Sequence, residues 1–225
     1  MNQNIPFTSY DFWAYLSAGF LLLFAVDSAA GTKLLMRENW TIVQGVVAVS
    51  MAYVVGHIIA SLSSWVFERG FAGKILGYPR DVLFNKFHAP RWLRMLLGTY
   101  FKPLPNEIQI VALHKSEKVG VKDPGEALFL VAFAYARQNQ AVMDRLNNFL
   151  NLYGFCRNIA LVAFIDAAIL YWSHMQPNRP SEHLIWAWFS LFIGVGMTLR
   201  YLKFYRLYAS EVITAYACRQ EKELE

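Results

Sequence analysis

Four long runs of apolar residues constrain this chain more than any other feature of its sequence. They cover residues 12–30, 41–67, 159–175 and 184–202. A bilayer core of ~30 Å is crossed by about 20 mostly apolar residues in an α-helix. Only 16% of the residues are charged, whereas soluble domains carry roughly 25%. The sequence therefore predicts an all-α polytopic membrane protein with four transmembrane helices.

The stretch between the second and third runs is polar enough to fold outside the membrane. Its apolar run at 127–136 is too short to span a bilayer and predicts a buried core helix. We therefore expect a helical cytoplasmic domain inserted between transmembrane helices 2 and 3. The boundaries that follow are an N-terminal transmembrane hairpin at 1–67, the cytoplasmic domain with its basic, aromatic membrane-proximal part at 68–154, a C-terminal transmembrane hairpin at 155–202, and a cytoplasmic helical tail at 203–225.

Local signals suggest where two of the helices run. Asp123 is suited to cap a helix and Pro124 to occupy its first position, so we expect a helix to start there. We expect it to continue through 138–153 and then either bend at Gly154 or pass unbroken into the third span. Neither Pro nor Gly interrupts residues 197–225. The fourth span is therefore expected to continue as one long helix.

The distribution of Lys and Arg beside the runs predicts how the chain is oriented. The short connections 31–40 and 176–183 hold three basic residues, Lys33, Arg37 and Arg179. Ten lie near the spans on the other side: Arg69, Lys74, Arg80, Lys86, Arg145, Arg157, Arg200, Lys203, Arg206 and Arg219. Because cytoplasmic loops carry the excess of basic residues, we expect both termini and the central domain in the cytoplasm.

Each predicted span carries small residues at a spacing that lets helix backbones approach closely. Helices in a bilayer associate by such close packing, since lipid tails are as apolar as leucine. The packing positions are Ala52, Gly56 and Ala60 in the second span, Ala163 and Ala167 in the third, and Ser190 and Gly194 in the fourth. We expect all spans to pack tightly and the protein to form a homo-oligomer.

A polar stripe, consisting of Ser50, Tyr53, His57 and Ser61, runs along the second span beside its small residues. An ionisable group inside a bilayer is costly unless it is paired or wetted, so we expect this stripe to point inward, away from lipid. Asp166 lies at comparable depth in the third span, where it could share a hydrogen bond or a water with His57. Two interpretations stay open: a polar pathway for an ion or proton, or a buried contact that fixes helix register.

Basic and aromatic residues are interleaved on the predicted cytoplasmic side. In the stretch 69–102, Pro90 is suited to start a short helix on which Trp92, Met95, Leu96 and Phe101 share a face. This combination suits an anionic lipid surface or a nucleic acid. Because the segment is tethered beside phospholipid, we favour the inner leaflet and do not expect nucleic acid. The expected leaflet contacts are Arg69, Lys74, Arg91, Trp92, Arg94, Arg157, Arg200, Lys203 and Arg206.

The sequence lacks the patterns of known catalytic and metal sites. Its five histidines are scattered, and Cys156 and Cys218 lie far apart. It has no GxSxG motif and no glycine-rich phosphate loop. We therefore expect no enzyme activity, no cofactor and no metal. An intramembrane enzyme that acts on lipid through a His–Asp pair is the least favoured class.

Two functional classes remain. The favoured one is an oligomeric integral membrane protein that anchors, senses or recruits a cytoplasmic partner through its helical domain. The alternative is an ion or proton channel, or a small transporter, with a polar path around His57 and Asp166. The phrases YVVGHIIASLSS at 53–64 and YGFCRN at 153–158 resemble stretches of small polytopic bacterial proteins. That resemblance implies a bacterial inner membrane.

Overall fold

A computed structural model describes residues 9–177 and 179–218, with side chains described from Ala14 onward. Every regular element in this part of the chain is helical. The helices are α1 (Ser9–Ala30), α2 (Ile42–Ser63), a π-helical segment (Ser64–Leu76), α3 (Pro79–Val82), α4 (Arg91–Leu96), α5 (Asn106–Lys118), α6 (Glu126–Ala136), α7 (Gln140–His174) and α8 (Glu182–Cys218). The all-α fold class is thus confirmed for the described residues.

Three helices are long and apolar enough to cross a membrane. One is the stretch Ile42–Val82, which comprises α2, the π-helical segment and α3. The other two are α7 and α8. In α1, the apolar stretch with described side chains is Ala14–Ala30. The three helices support a membrane protein, because about 20 apolar helical residues match the bilayer core. The four-span topology stays a prediction.

The chain divides into two compact units. The first unit comprises Met1–Val66 and Gly154–Tyr201, and the second comprises Phe67–Tyr153 and Leu202–Glu225. The first therefore holds α1, α2 and the apolar halves of α7 and α8, while the second holds the shorter helices.

In the first unit, α1 and α2 form an antiparallel pair whose backbones touch. A Cβ atom added to Gly19 would lie 1.7 Å from the carbonyl oxygen of Ala52. One added to Gly56 would lie 1.9 Å from the carbonyl oxygen of Tyr15. Each helix therefore contributes one glycine that lets the other helix's main chain approach, as small residues do where helices pack in membranes.

The helix α7 is the most enclosed of the three candidate spans. Within its apolar window 44% of the residues are buried, against 17% in Ile42–Val82 and 17% in α8. The core of the first unit joins α1, α2 and α7 through Ala18, Ile59, Ile159 and Val162. On α8, a Cβ at Gly194 would lie 2.9 Å from the ring of Phe164 in α7. The apolar part of α7 is thus enclosed by the other helices of the first unit.

The residues that the sequence assigns to helix packing are mostly covered. Those that are buried are Ala52, Gly56, Ala163, Ala167 and Gly194, while Ala60 and Ser190 are half-buried. Their role in packing follows most directly for Gly56 and Gly194, because a side chain at either position would overlap a neighbouring helix.

The second unit has a hydrophobic core of its own. It is built from α5, α6, the start of α7 and the end of α8, with Ala112, Leu128, Ala132, Leu146, Val212 and Ile213 among its most buried members. Tyr100 is also buried, and its hydroxyl donates to the carbonyl oxygen of Gly77 at 2.7 Å. Burial raises the pKa of Tyr100 well above its usual value, so the phenol stays a donor.

The predicted helix start at Pro124 is wrong. The helix α6 begins at Glu126 after Gly125, whose φ of 135° is not helical, and no side chain caps it. It also does not continue through 138–153. The side chain of Asn139 accepts a hydrogen bond from the amide of Val142 at 3.3 Å, which caps the new helix α7 as short polar side chains commonly do.

The two longest helices, α7 and α8, are both continuous. A continuous helix from the fourth span into the tail is confirmed, because α8 runs without a break from Glu182 to Cys218. The end of that tail, 219–225, lies outside the described residues. Of the two alternatives left open for Gly154, the unbroken one holds, since α7 passes through it.

The α1–α2 contact makes Gly56 sensitive to the smallest added side chain. We expect Gly56→Ala to destabilise the protein by about 1–3 kcal/mol, the usual cost of overpacking, and to lower its thermal midpoint in mild detergent. Gly45→Ala in the same helix is the matched control, because nothing lies within 4 Å of its Cβ position. Alanine there should be neutral or stabilising. Equal losses from both variants would contradict the contact.

Candidate functional site

A cluster of polar side chains joins α2 to α7 inside the first unit. Ser63 and Asn158 are almost fully buried, and the Ser63 hydroxyl lies 2.6 Å from Oδ1 of Asn158, to which it donates. Nε of Arg157 donates to Oγ of Ser63 at 3.1 Å. Buried polar groups are stable only when they are hydrogen-bonded, and this cluster satisfies that condition. It fixes the rotation of α7 against α2.

Most of the polar stripe of α2 lies on the surface of the first unit, so within the protomer the expected inward orientation is wrong. Ser50, His57 and Ser61 are exposed and Tyr53 is half-buried. The two serine hydroxyls donate to carbonyl oxygens of their own helix, four residues earlier in each case. The reason lies on the other side of α2, where Ala52, Gly56 and Ile59 are buried. Contact with α1 through those residues turns the stripe outward.

His57 is held on the surface of the first unit by two aromatic rings. The centroid of its ring lies 4.1 Å from that of Tyr15, with 32° between the planes. It lies 4.6 Å from that of Tyr53, with the planes at 84°. Stacked and edge-on ring pairs are favourable arrangements for aromatic groups. The orientation of the imidazole is therefore set by the chain itself.

Asp166 is a buried carboxyl group near the middle of the apolar part of α7. Only 6% of the residue is exposed, and Oδ1 has no hydrogen-bond partner within the described residues. Oδ1 therefore does not bond to His57, whose ring lies against Tyr15 and Tyr53 instead. An unpaired carboxyl in such a place is costly in its charged form.

Sequence reasoning missed a second polar cluster at the opposite end of the first unit. His183 is buried, with Nε2 3.3 Å from Oγ of Ser28 and Nδ1 3.1 Å from Oγ of Ser173. It links α1, α7 and α8. Beside it, the carboxylate of Asp27 accepts hydrogen bonds from the hydroxyl of Thr32 and the amides of Leu34 and Leu35. A histidine between serines has no distinctive spacing, so periodicity could not reveal it.

In the second unit, the short helix α4 carries an exposed apolar face. Trp92, Met95 and Leu96 are 66%, 89% and 72% exposed, while Leu93 points into the unit and is buried. Arg91 and Arg94 are exposed beside them. Phe101 was predicted to share this face but is buried, because the helix ends at Leu96 and the chain turns. The arrangement is a small amphipathic surface with a basic edge.

The other residues expected at the inner leaflet differ in how exposed their side chains are. Arg69, Lys74, Arg200 and Lys203 are exposed. Arg157 and Arg206 are half-buried: the first donates to Ser63, and Nη2 of the second donates to the carbonyl oxygen of Lys102 at 2.6 Å. These two guanidinium groups therefore have structural roles within their own units.

Comparison with models of protein families, with curated proteins and with solved structures finds no match. Within the residues that the structure describes, no three His, Cys, Asp or Glu side chains come close enough together to hold a metal ion.

The Ser63–Asn158 contact gives a direct test of the polar cluster. We expect Asn158→Ala to destabilise the protein by about 1–3 kcal/mol, because it breaks a buried polar contact. The measurement is the thermal midpoint in mild detergent. Asn147→Ala is the matched control, since Asn147 is exposed on the same helix. If both substitutions have the same small effect, the cluster does not hold the two helices together.

Proposed function

We propose that this chain is an oligomeric integral membrane protein that anchors a helical cytoplasmic domain at the inner leaflet, where the domain recruits a protein partner. The observation that carries the proposal is the exposed face of α4. Its side chains project from a unit whose core is already complete without them. A surface of that kind needs an apolar environment outside the unit.

The composition of α4 favours a membrane surface as that environment. Tryptophan and aliphatic side chains insert at the boundary between headgroups and acyl chains, while arginine pairs with anionic lipid. The apolar side chains that would insert are Trp92, Met95 and Leu96, and the arginines beside them are Arg91 and Arg94. The excess of basic residues on the predicted cytoplasmic side favours the inner leaflet.

The rest of the second unit supports recruitment. Its surface carries ion pairs between Arg80 and Glu126 and between Arg145 and Glu211. Ile110 on α5 and Leu130 on α6 are 66% and 60% exposed, so apolar side chains are available outside the core. Such a surface suits protein contact, for which apolar side chains on a polar background provide anchors.

The position of α4 can be followed with a polarity-sensitive dye on one added cysteine, with the buried Cys156 left in place. In a Cys218→Ser background, we expect dye at Met95→Cys in proteoliposomes to shift its emission to the blue, more strongly with phosphatidylglycerol than with phosphatidylcholine. Dye at Val119→Cys is the control, since Val119 is exposed in the same unit and lies at the end of α5. Equal emission from both sites would contradict the lipid contact.

Recruitment needs a separate measurement in cells. We expect a photocrosslinking amino acid at Ile110 to form an adduct with one partner protein. The same amino acid at Met95 should form no such adduct, because that site faces lipid. Cells in which neither site yields a protein adduct would contradict recruitment without affecting the lipid result.

Asp166 favours a second candidate function, conduction of an ion or proton. Ionisable groups within membrane spans commonly mark ion or proton pathways, and Oδ1 of this carboxyl is buried and unpaired within the described residues. On this proposal the neutral and charged forms alternate as a proton passes. Asp166 then has a role that helix packing alone does not require.

A flux measurement decides this second candidate. In proteoliposomes containing a pH-sensitive dye, we expect proton uptake driven by a membrane potential, and we expect Asp166→Asn to abolish it. Asp144→Asn is the matched control, because Asp144 is exposed on the same helix and accepts a hydrogen bond from Gln140 one turn earlier. Uptake that is absent in the wild type, or unchanged in Asp166→Asn, would contradict a pathway through Asp166.

A further inference from the structure

The exposed face of α2 carries a regular seam. Its members follow one another at alternating steps of four and three residues: Val43, Val47, Ser50, Val54, His57 and Ser61. All six are exposed in the first unit. Steps of four and three keep side chains on one side of an α-helix and are the spacing of coiled-coil seams. We call this set the α2 seam.

The α2 seam is poorly suited to lipid. Its two serine hydroxyls donate to carbonyl oxygens of their own helix, but it also holds the imidazole of His57, to which acyl chains offer no hydrogen bond. The outward face of α8 gives the contrast, because its exposed side chains are bulky and apolar, including Trp188, Phe192, Val195 and Leu199. That face needs only lipid around it. The α2 seam needs a protein surface with polar groups at matching depth.

We propose that a second copy of this chain covers the α2 seam, so that two α2 helices pack in parallel about a two-fold axis normal to the membrane. The proposal rests on the oligomeric part of the proposed function and names the surface and the partner. Both copies insert with the same orientation, so each residue of the seam meets its own counterpart at the same depth. Such an interface is self-complementary, as closed dimers require.

The chemistry of the seam fits a copy of itself. A neutral imidazole carries one donor and one acceptor, so His57 can bond to His57 of the partner subunit. The three valines of the seam, Val43, Val47 and Val54, supply the branched side chains that interlock in parallel helix pairs. Tyr15 and Tyr53 already hold the imidazole in place. The protomer therefore loses little side-chain freedom when the pair forms.

The geometry also keeps the interface apart from the packing within the protomer. Residues Ala52, Gly56 and Ile59, which contact the rest of the first unit, lie on the side of α2 opposite to the seam. The helix α2 thus has one face for its own chain and one for a copy. Its low buried share, 17%, agrees with a helix at the edge of its unit.

Disulfide formation in native membranes tests the seam. The background is Cys218→Ser, with the buried Cys156 left in place. We expect Val47→Cys and Val54→Cys to form dimers upon mild oxidation, several-fold more than Val49→Cys. Val49 is the matched control because it is also an exposed valine of α2 but lies off the seam.

The outcomes separate this inference from the proposed function. Dimers from Val49→Cys that equal those from Val47→Cys would overturn the seam while leaving an oligomer in place. A monomer by light scattering in mild detergent, together with no disulfide from any variant, would overturn both the seam and the homo-oligomer. Dye emission at Met95→Cys tests the membrane contact of the second unit independently of either result.

Discussion

The backbone contact between α1 and α2 determines what the first unit presents to its surroundings. Gly19 and Gly56 lie where even one methyl group would overlap a carbonyl oxygen of the other helix. That contact occupies one face of α2 and leaves the opposite face exposed. The exposed position of His57 follows from it, because the glycine face of α2 packs against α1 and His57 is left at the edge of that contact, where its ring lies against Tyr15.

The first unit treats its polar groups in two different ways. Ser63, Asn158 and Arg157 satisfy one another and hold α2 against α7, so they act as a structural lock. Oδ1 of Asp166 is buried without a partner within the described residues, and His57 is exposed on an apolar helix. The first arrangement explains stability, whereas the other two point to roles beyond it. We assign His57 to self-association and keep Asp166 for the conduction alternative.

The sequence predicted the helical class and the unbroken α8 because apolar length and the lack of Pro and Gly are local properties. The sequence did not predict features that depend on contact between two helices. Periodicity indicates that Ser50, His57 and Ser61 share a face, but which face is covered depends on Gly19 in α1. The Ser28–His183–Ser173 cluster joins residues that are far apart in the chain. Asn139 was missed as a cap because neither Pro nor Gly separates α6 from α7 in the sequence.

The proposed function requires that the chain crosses the membrane in two hairpins and leaves the second unit in the cytoplasm. Labelling intact cells with a membrane-impermeant maleimide tests this most directly. One cysteine is added at a time to a Cys218→Ser background, either at Glu38 in the connection 31–40 or at Lys122 in the second unit. Both positions are exposed. We expect label at position 38 in intact cells and at position 122 only after permeabilisation. Label at position 122 in intact cells, with position 38 silent, would contradict the account.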